Sequence, residues 1–212
     1  MTLKIRIYSD FVCPFCYIGD AQLKEALNGK DIEVEWMPFE LRPEPVEPLS
    51  VKSNYIQQGW NYSVKPLAEQ FGVEMTLPDI DPIPRTHLAH EGFQFAKEHG
   101  KGNEYVDAVF KAYWVKEQDI ANIDVLANIA EEIGLNQDQF KEALTTRKYK
   151  EGHQKAVRHA YEEAKVTAVP TFFIGNQKLQ GVHTKEQLLQ IIESEKVELE
   201  ISIGDSCNIE DC

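Results

Sequence analysis

SDFVCPFCYIG, Ser9 to Gly19, decides how the chain is read. The residues before it alternate apolar and polar from Leu3 to Tyr8, as a strand does. Pro14 then suits the first position of a helix, where a missing N–H costs nothing. Cys13 is thereby placed at the N-cap. Its sulfur can accept from the N–H groups of Phe15 and Cys16, and it feels the positive end of the helix dipole. Both effects favour thiolate, the species that attacks disulfides. Cys16, one turn inside, is expected to be more buried and suited to resolving a mixed disulfide. A C-x-x-C pair is also half of many zinc sites. The strand before it and the helix after it tilt the reading towards redox chemistry.

Outward from this stretch, apolar Ala21, Leu23, Ala26 and Leu27 continue a helix that closes near Asn28-Gly29. IEVEWMPF, Ile32 to Phe39, reads as a second strand. RPEPVEP, 42–48, carries three prolines in seven positions and predicts an extended connection. From about Leu49 to Lys165 the pattern is helical, clearest in IDVLANIAEEIG, Ile123 to Gly134, and in further helices over 85–99, 103–117 and 149–165. Phe93, Phe95, Tyr113 and Trp114 read as the core of a small bundle. Asn136 suits the start of another helix, with Gln139 three residues on. TFFI, Thr171 to Ile174, and residues 178–182 predict two strands, and Thr184 a capped helix with Leu188, Leu189 and Ile192 inward. VELEISI, Val197 to Ile203, alternates as a strand would, before the ending SCNIEDC.

Composition sets limits on function. The 212 residues carry a formal charge of -13 with no dense Lys/Arg block, so neither nucleic acid nor an anionic membrane is the expected partner. No apolar run approaches the ~20 residues needed to span a bilayer. MTLKIRIYSD lacks a basic region followed by an apolar stretch, so the expected compartment is the cytoplasm. Thiols are kept reduced there, and a cysteine pair is more often catalytic or metal-binding than structural. His87 and His90 lie one helical turn apart but read as packing residues, and no metal ligand set is assigned.

AVPTFFIG, Ala168 to Gly175, puts a proline directly before a strand. Together with the cysteine pair this resembles the thioredoxin superfamily. The stretches CPFCYIG, RTHLAHEGFQFAKEHGK, and VFKAYW through DVLANIAEEIGL are similar to the DsbA family, in particular its FrnE-like branch. The resemblance implies an α/β protein: a thioredoxin fold, residues 1–41 and 166–195, interrupted by an inserted helical domain, 42–165, with a strand and cysteine-bearing tail over 196–212. It implies a disulfide oxidoreductase needing no cofactor, acting on disulfide-bearing proteins or low-molecular-weight thiols. Cys13 would be the nucleophile and Cys16 the resolving thiol. Val169-Pro170 would be cis, with the backbone around Val169 holding substrate beside Cys13. Pro14 and Phe15 would tune the pair, and Phe15 and Tyr17 would line an apolar patch.

Two departures from that pattern stand out. DsbA has histidine where this chain has Phe15, which implies a weaker oxidant. Relatives often bury an acid six residues before the first cysteine; here that residue is Ile7. Asp10 reads as a solvated or capping residue. Cys207 and Cys212 are either a second redox pair or incidental thiols. Two rival readings stay open. Glutathione-dependent isomerases and kappa-class transferases share the fold but carry serine at the first motif position, and a zinc protein could use all four cysteines.

Overall fold

The computed structural model describes residues 3–206. Its sheet begins with β1 (Lys4–Ser9), where Ile5 and Ile7 are wholly buried while Lys4 and Arg6 face solvent. β2 (Glu33–Pro38) runs parallel to it, with Ile7 opposite Trp36. A parallel pair needs a crossover, and α1 (Pro14–Leu27) supplies it. Gly29, at φ +74, lets the chain leave that helix. β3 (Thr171–Ile174) lies antiparallel on the other side of β1, and β4 (Gln177–Gln180) returns beside β3, giving the order β2-β1-β3-β4.

Between β2 and β3 the chain is largely helical. α2 (Asn54–Gly59) joins α3 (Lys65–Gln70) through a widened π-type turn over Trp60–Val64. Then come α4 (His87–Glu98), α5 (Gly102–Trp114), α6 (Ile123–Glu132), α7 (Gln137–Thr145) and α8 (Lys150–Arg158). A π-type turn, His159–Glu163, extends α8. Helical starts follow side-chain caps: Asn122 accepts from Asp124 N and Asn136 from Gln139 N. The helical stretch is broken over 73–86, where Pro78, Pro82 and Pro84 remove the donors a helix would need.

α9 (Lys185–Ser206) starts from a reciprocal cap, Gln187 N donating to Thr184 Oγ1 and Thr184 N to Gln187 Oε1. It packs on α1 and β3. The strand expected over Val197–Ile203 is instead the end of this helix. Once a helix is nucleated, each added residue gains a hydrogen bond cheaply. Val197 is exposed, so the alternation buries no strand face. Cys207 and Cys212 lie outside the described residues.

One large apolar cluster joins sheet and helices, and a small second one groups Ile18, Val64 and Ala68. Phe11, just after β1, stacks on Trp36 of β2 at 5.1 Å between centroids and meets Phe110 of α5 edge-on at 5.4 Å. Trp36 also meets Phe93 of α4. Among the described residues no helix is long and apolar enough to cross a membrane.

Candidate active site

Cys13 occupies the N-cap of α1 with extended backbone (φ -85, ψ 114), and Pro14 opens the helix. Cys13 N donates to Asp10 O, and Cys13 O accepts from Cys16 N and Tyr17 N. The thiol does not accept the cap bonds expected from Phe15 and Cys16. It instead points across to the loop before β3 and donates to Val169 O at 3.6 Å. A thiol has a proton to give, and the nearby carbonyl is a better acceptor than helix N–H groups, which only donate.

Cys16 lies one turn further and is wholly buried; Cys13 is 4% exposed. Burial pushes the Cys16 thiol well up, and the neighbouring Cys13 sulfur adds to the rise. The Ser9 hydroxyl and the Asp10 amide face the Cys16 sulfur and oppose it. Both cysteines are free thiols.

The wall opposite is built by the chain entering β3. The Val169–Pro170 peptide bond is cis, both residues are buried, and Pro170 O accepts from Gly181 N at 2.8 Å. Gly19 of α1 faces Pro170, and a Cβ there would lie 3.0 Å from the proline Cγ. The absent side chain is what lets α1 approach this loop. Phe15 and Tyr17 are half-buried, with Tyr17 packed on Phe110.

A cavity of about 650 Å³ opens beside Cys13, Phe15 and Val169. Its far wall is aromatic, formed by Trp60, Tyr113 and Trp114. Trp60 and Trp114 lie parallel, 6.5 Å apart, and Trp114 Nε1 donates to Phe11 O at 2.9 Å. Arg85 borders the cavity and ties down the proline-rich connection through Arg42 O and Val46 O. A second cavity of about 570 Å³ adjoins it across Trp60 and Leu77 but reaches neither cysteine. Among the described residues no cluster of three His, Cys, Asp or Glu could hold a metal ion.

The structure thus brings Cys13, Pro14, Phe15, Val169 and the cavity together, with Cys16 and Pro170 directly behind. Sequence reading missed the aromatic wall and Arg85. The only signal for Arg85 was its place at the head of the RTHLAHEG stretch. Of the two readings of Asp10, solvated or capping, the first fails, since Asp10 is 1% exposed. The Asp10 carboxylate accepts from Leu41 N at 2.7 Å, so it holds the end of β2 against the end of β1.

The family model described as a DSBA-like thioredoxin domain matches residues 4–193. Protein YwbO of Bacillus subtilis (strain 168) is 49% identical over 199 residues, covering 92% of this chain and 98% of the relative. The 2-hydroxychromene-2-carboxylate isomerase of Pseudomonas putida is 23% identical, covering 84% of this chain and 88% of its own. Among solved structures, SCO1869 from Streptomyces coelicolor shares the fold with a TM-score of 0.77 at 21% identity, covering 92% of this chain and 91% of that one. With two thiols at the head of a helix facing a proline-led strand, and with this match, the chain belongs to the DSBA-like thioredoxin domain family, a family of disulfide oxidoreductases and isomerases.

Proposed function

We propose that this chain is a cofactor-independent dithiol–disulfide oxidoreductase of the FrnE-like branch, working in the cytoplasm. Cys13 attacks a substrate disulfide, releasing one thiolate and forming a mixed disulfide. Cys16 then attacks the Cys13 sulfur, releasing the second substrate thiolate and leaving a Cys13–Cys16 disulfide. The observation that carries this reading is the placement of Cys13 between the cavity and the Val169 carbonyl, with Cys16 wholly buried one turn behind. Only the first sulfur borders the space a substrate can enter. The carbonyl of Val169, freed when Cys13 loses its proton, offers an acceptor to an incoming peptide or amide group. Phe15 and the aromatic wall suit an apolar substrate surface, and Pro170 fixes the loop that carries Val169. The helical stretch 42–165 acts as the insertion that builds the cavity wall. Cys207 and Cys212 would exchange with the first pair as a second dithiol.

The cavity also favours a second reading, a glutathione-dependent isomerase, since it is large enough for a small bound thiol. Cys13 stands where that class has serine, which favours the dithiol mechanism. One pair of variants tests both. Cys13→Ser should abolish reduction of insulin disulfides. Cys16→Ser should accumulate a mixed disulfide at Cys13, visible by mass spectrometry, because the attacker survives and the resolver does not. Full disulfide reduction by Cys13→Ser overturns the mechanism. Isomerase turnover that survives Cys16→Ser, with no trapped adduct, selects the second reading.

A further inference from the structure

The cavity beside Cys13 carries charge opposite in sign to the rest of the molecule. The chain stands at -13, yet the charged side chains bordering this cavity are two arginines, Arg42 and Arg85, and one acid, Asp10. Asp10 is 1% exposed, and its carboxylate is already engaged with Leu41 N. Arg42 is exposed, and its side chain has no hydrogen bond or ion pair among the described residues. Arg85 donates from its two terminal nitrogens to Arg42 O and Val46 O, each at 3.1 Å. Those acceptors are neutral, and three of the five guanidinium N–H groups stay free. The same bonds bring the Arg85 guanidinium to the backbone of Arg42, so two cations share one edge of the cavity. Other cations of the chain do find carboxylates, Lys24 with Asp20 and Arg147 with Glu91 among them. Glu44 and Glu47, in the same connection as Arg42, are exposed but do not border the cavity. Like charges set close together repel, so stability does not account for the pair.

We propose that Arg42 and Arg85 select the substrate, a low-molecular-weight disulfide carrying a carboxylate on an apolar or aromatic body. The inference rests on the dithiol reading of the site and names its substrate class. A guanidinium offers a planar fork that matches a carboxylate, and the bond is charge-assisted. Phe15, Trp60 and Trp114 line the same space and give the body of the ligand a flat apolar surface. Cys13 is 4% exposed, so its sulfur is met inside the cavity rather than on an open face. A space of about 650 Å³ admits a small disulfide whole. The Cys13 thiolate attacks the near sulfur of that disulfide and bonds to it. The far sulfur leaves as a thiolate with the electron pair of the broken bond. The chain's overall negative charge repels an anion at a distance. A preference for a carboxylate must therefore arise inside the cavity, where Arg42 and Arg85 are the cations on the lining.

Two coloured aromatic disulfides test this, one with a carboxylate on each ring and its uncharged carboxamide counterpart. The reduced protein is mixed with each at neutral pH, and the first thiol release is timed. Each rate is divided by that of a small uncharged thiol with the same reagent, which removes the reagents' own difference in reactivity. The protein should prefer the carboxylate by roughly tenfold. Arg42→Gln and Arg85→Gln should each shrink that preference several-fold, and the double variant should abolish it. No preference in the unmodified protein overturns the inference. So does a preference that survives the double variant, or a fall in both rates by the same factor, which would mark a structural role. An acidic protein disulfide that is preferred over a neutral one, while the small carboxylate is not, overturns the substrate class. If Arg85→Gln fails to fold, Arg42→Gln is read by the same outcomes, since the Arg42 side chain holds nothing in place. If neither reagent releases thiol at Cys13, the dithiol reading itself fails and this inference with it.

Discussion

Phe15 lies between the two cysteines in sequence, half-buried and bordering the cavity. Replacing it with histidine puts a hydrogen-bond donor beside the Cys13 thiolate and stabilises the reduced pair. Equilibration with a glutathione redox series should then give a higher potential, by about 30 mV for each ~1.4 kcal/mol of thiolate stabilisation. An unchanged or lower potential would show that the dipeptide does not set the poise. At this scale the cysteine pair and its N-cap placement were readable, because proline and the preceding strand are local signals. The direction of the Cys13 sulfur was not, since its partner Val169 lies 156 residues away. Arg42 and Arg85 share no period or motif, and only the fold brings them together.

Elements meet at Gly19, where α1 crosses the start of β3. Gly19→Ala places a methyl 3.0 Å from Pro170 Cγ and 3.3 Å from Phe172 Cζ. The proline ring is rigid and Phe172 is wholly buried, so neither gives way easily. The variant should lose roughly 1–3 kcal/mol in urea unfolding, and Cys13 should react more slowly because Val169 moves with Pro170. An unaltered unfolding midpoint would show that α1 can shift without cost. Two capped helices were legible, since Asn136 and Thr184 make the bonds expected of them, whereas Cys13 does not. Alternation misled at Val197–Ile203 because period alone does not tell an exposed helix end from a strand that lacks a sheet edge. The π-type turn at Trp60–Val64, which carries an aromatic wall of the cavity, leaves no such mark in sequence.

Across the whole molecule, the buried charges set how stability responds to acid. Burial alone would raise the Glu40 carboxyl, but the His153 hydrogen bond and nearby His90 and His87 outweigh it and hold it below the ordinary carboxylate range. A carboxyl lowered on folding stabilises above its unfolded value near 4.5 and loses that contribution as pH falls through the folded one. Burial, with Arg147 nearby, lowers His87, so protonation of the unfolded chain below about 6.5 also favours unfolding. Thermal melts should therefore decline from about pH 6.5 and more steeply below 4.5, and Glu40→Gln should flatten the steep part. A Glu40→Gln protein with the full acid loss would place the sensitivity elsewhere. The first strand–helix–strand unit, the largely helical middle and the paired strands after it were readable from local pattern. The joining of sheet and helices through Phe11, Trp36, Phe93 and Phe110 was not, since each ring looks like ordinary packing within its own strand, loop or helix.

That aromatic wall also makes the protein its own optical gauge. Trp60 and Trp114 both line the space beside Cys13, and Trp114 is bonded to the carbonyl two residues before it. Filling the space strips water from the half-exposed Trp60 face, and displacing Phe11 disturbs the Trp114 indole. Emission colour and intensity therefore follow occupancy and motif geometry without an added dye; Trp60→Phe removes the occupancy signal and leaves that of Trp114 and Trp36, both of which sense Phe11.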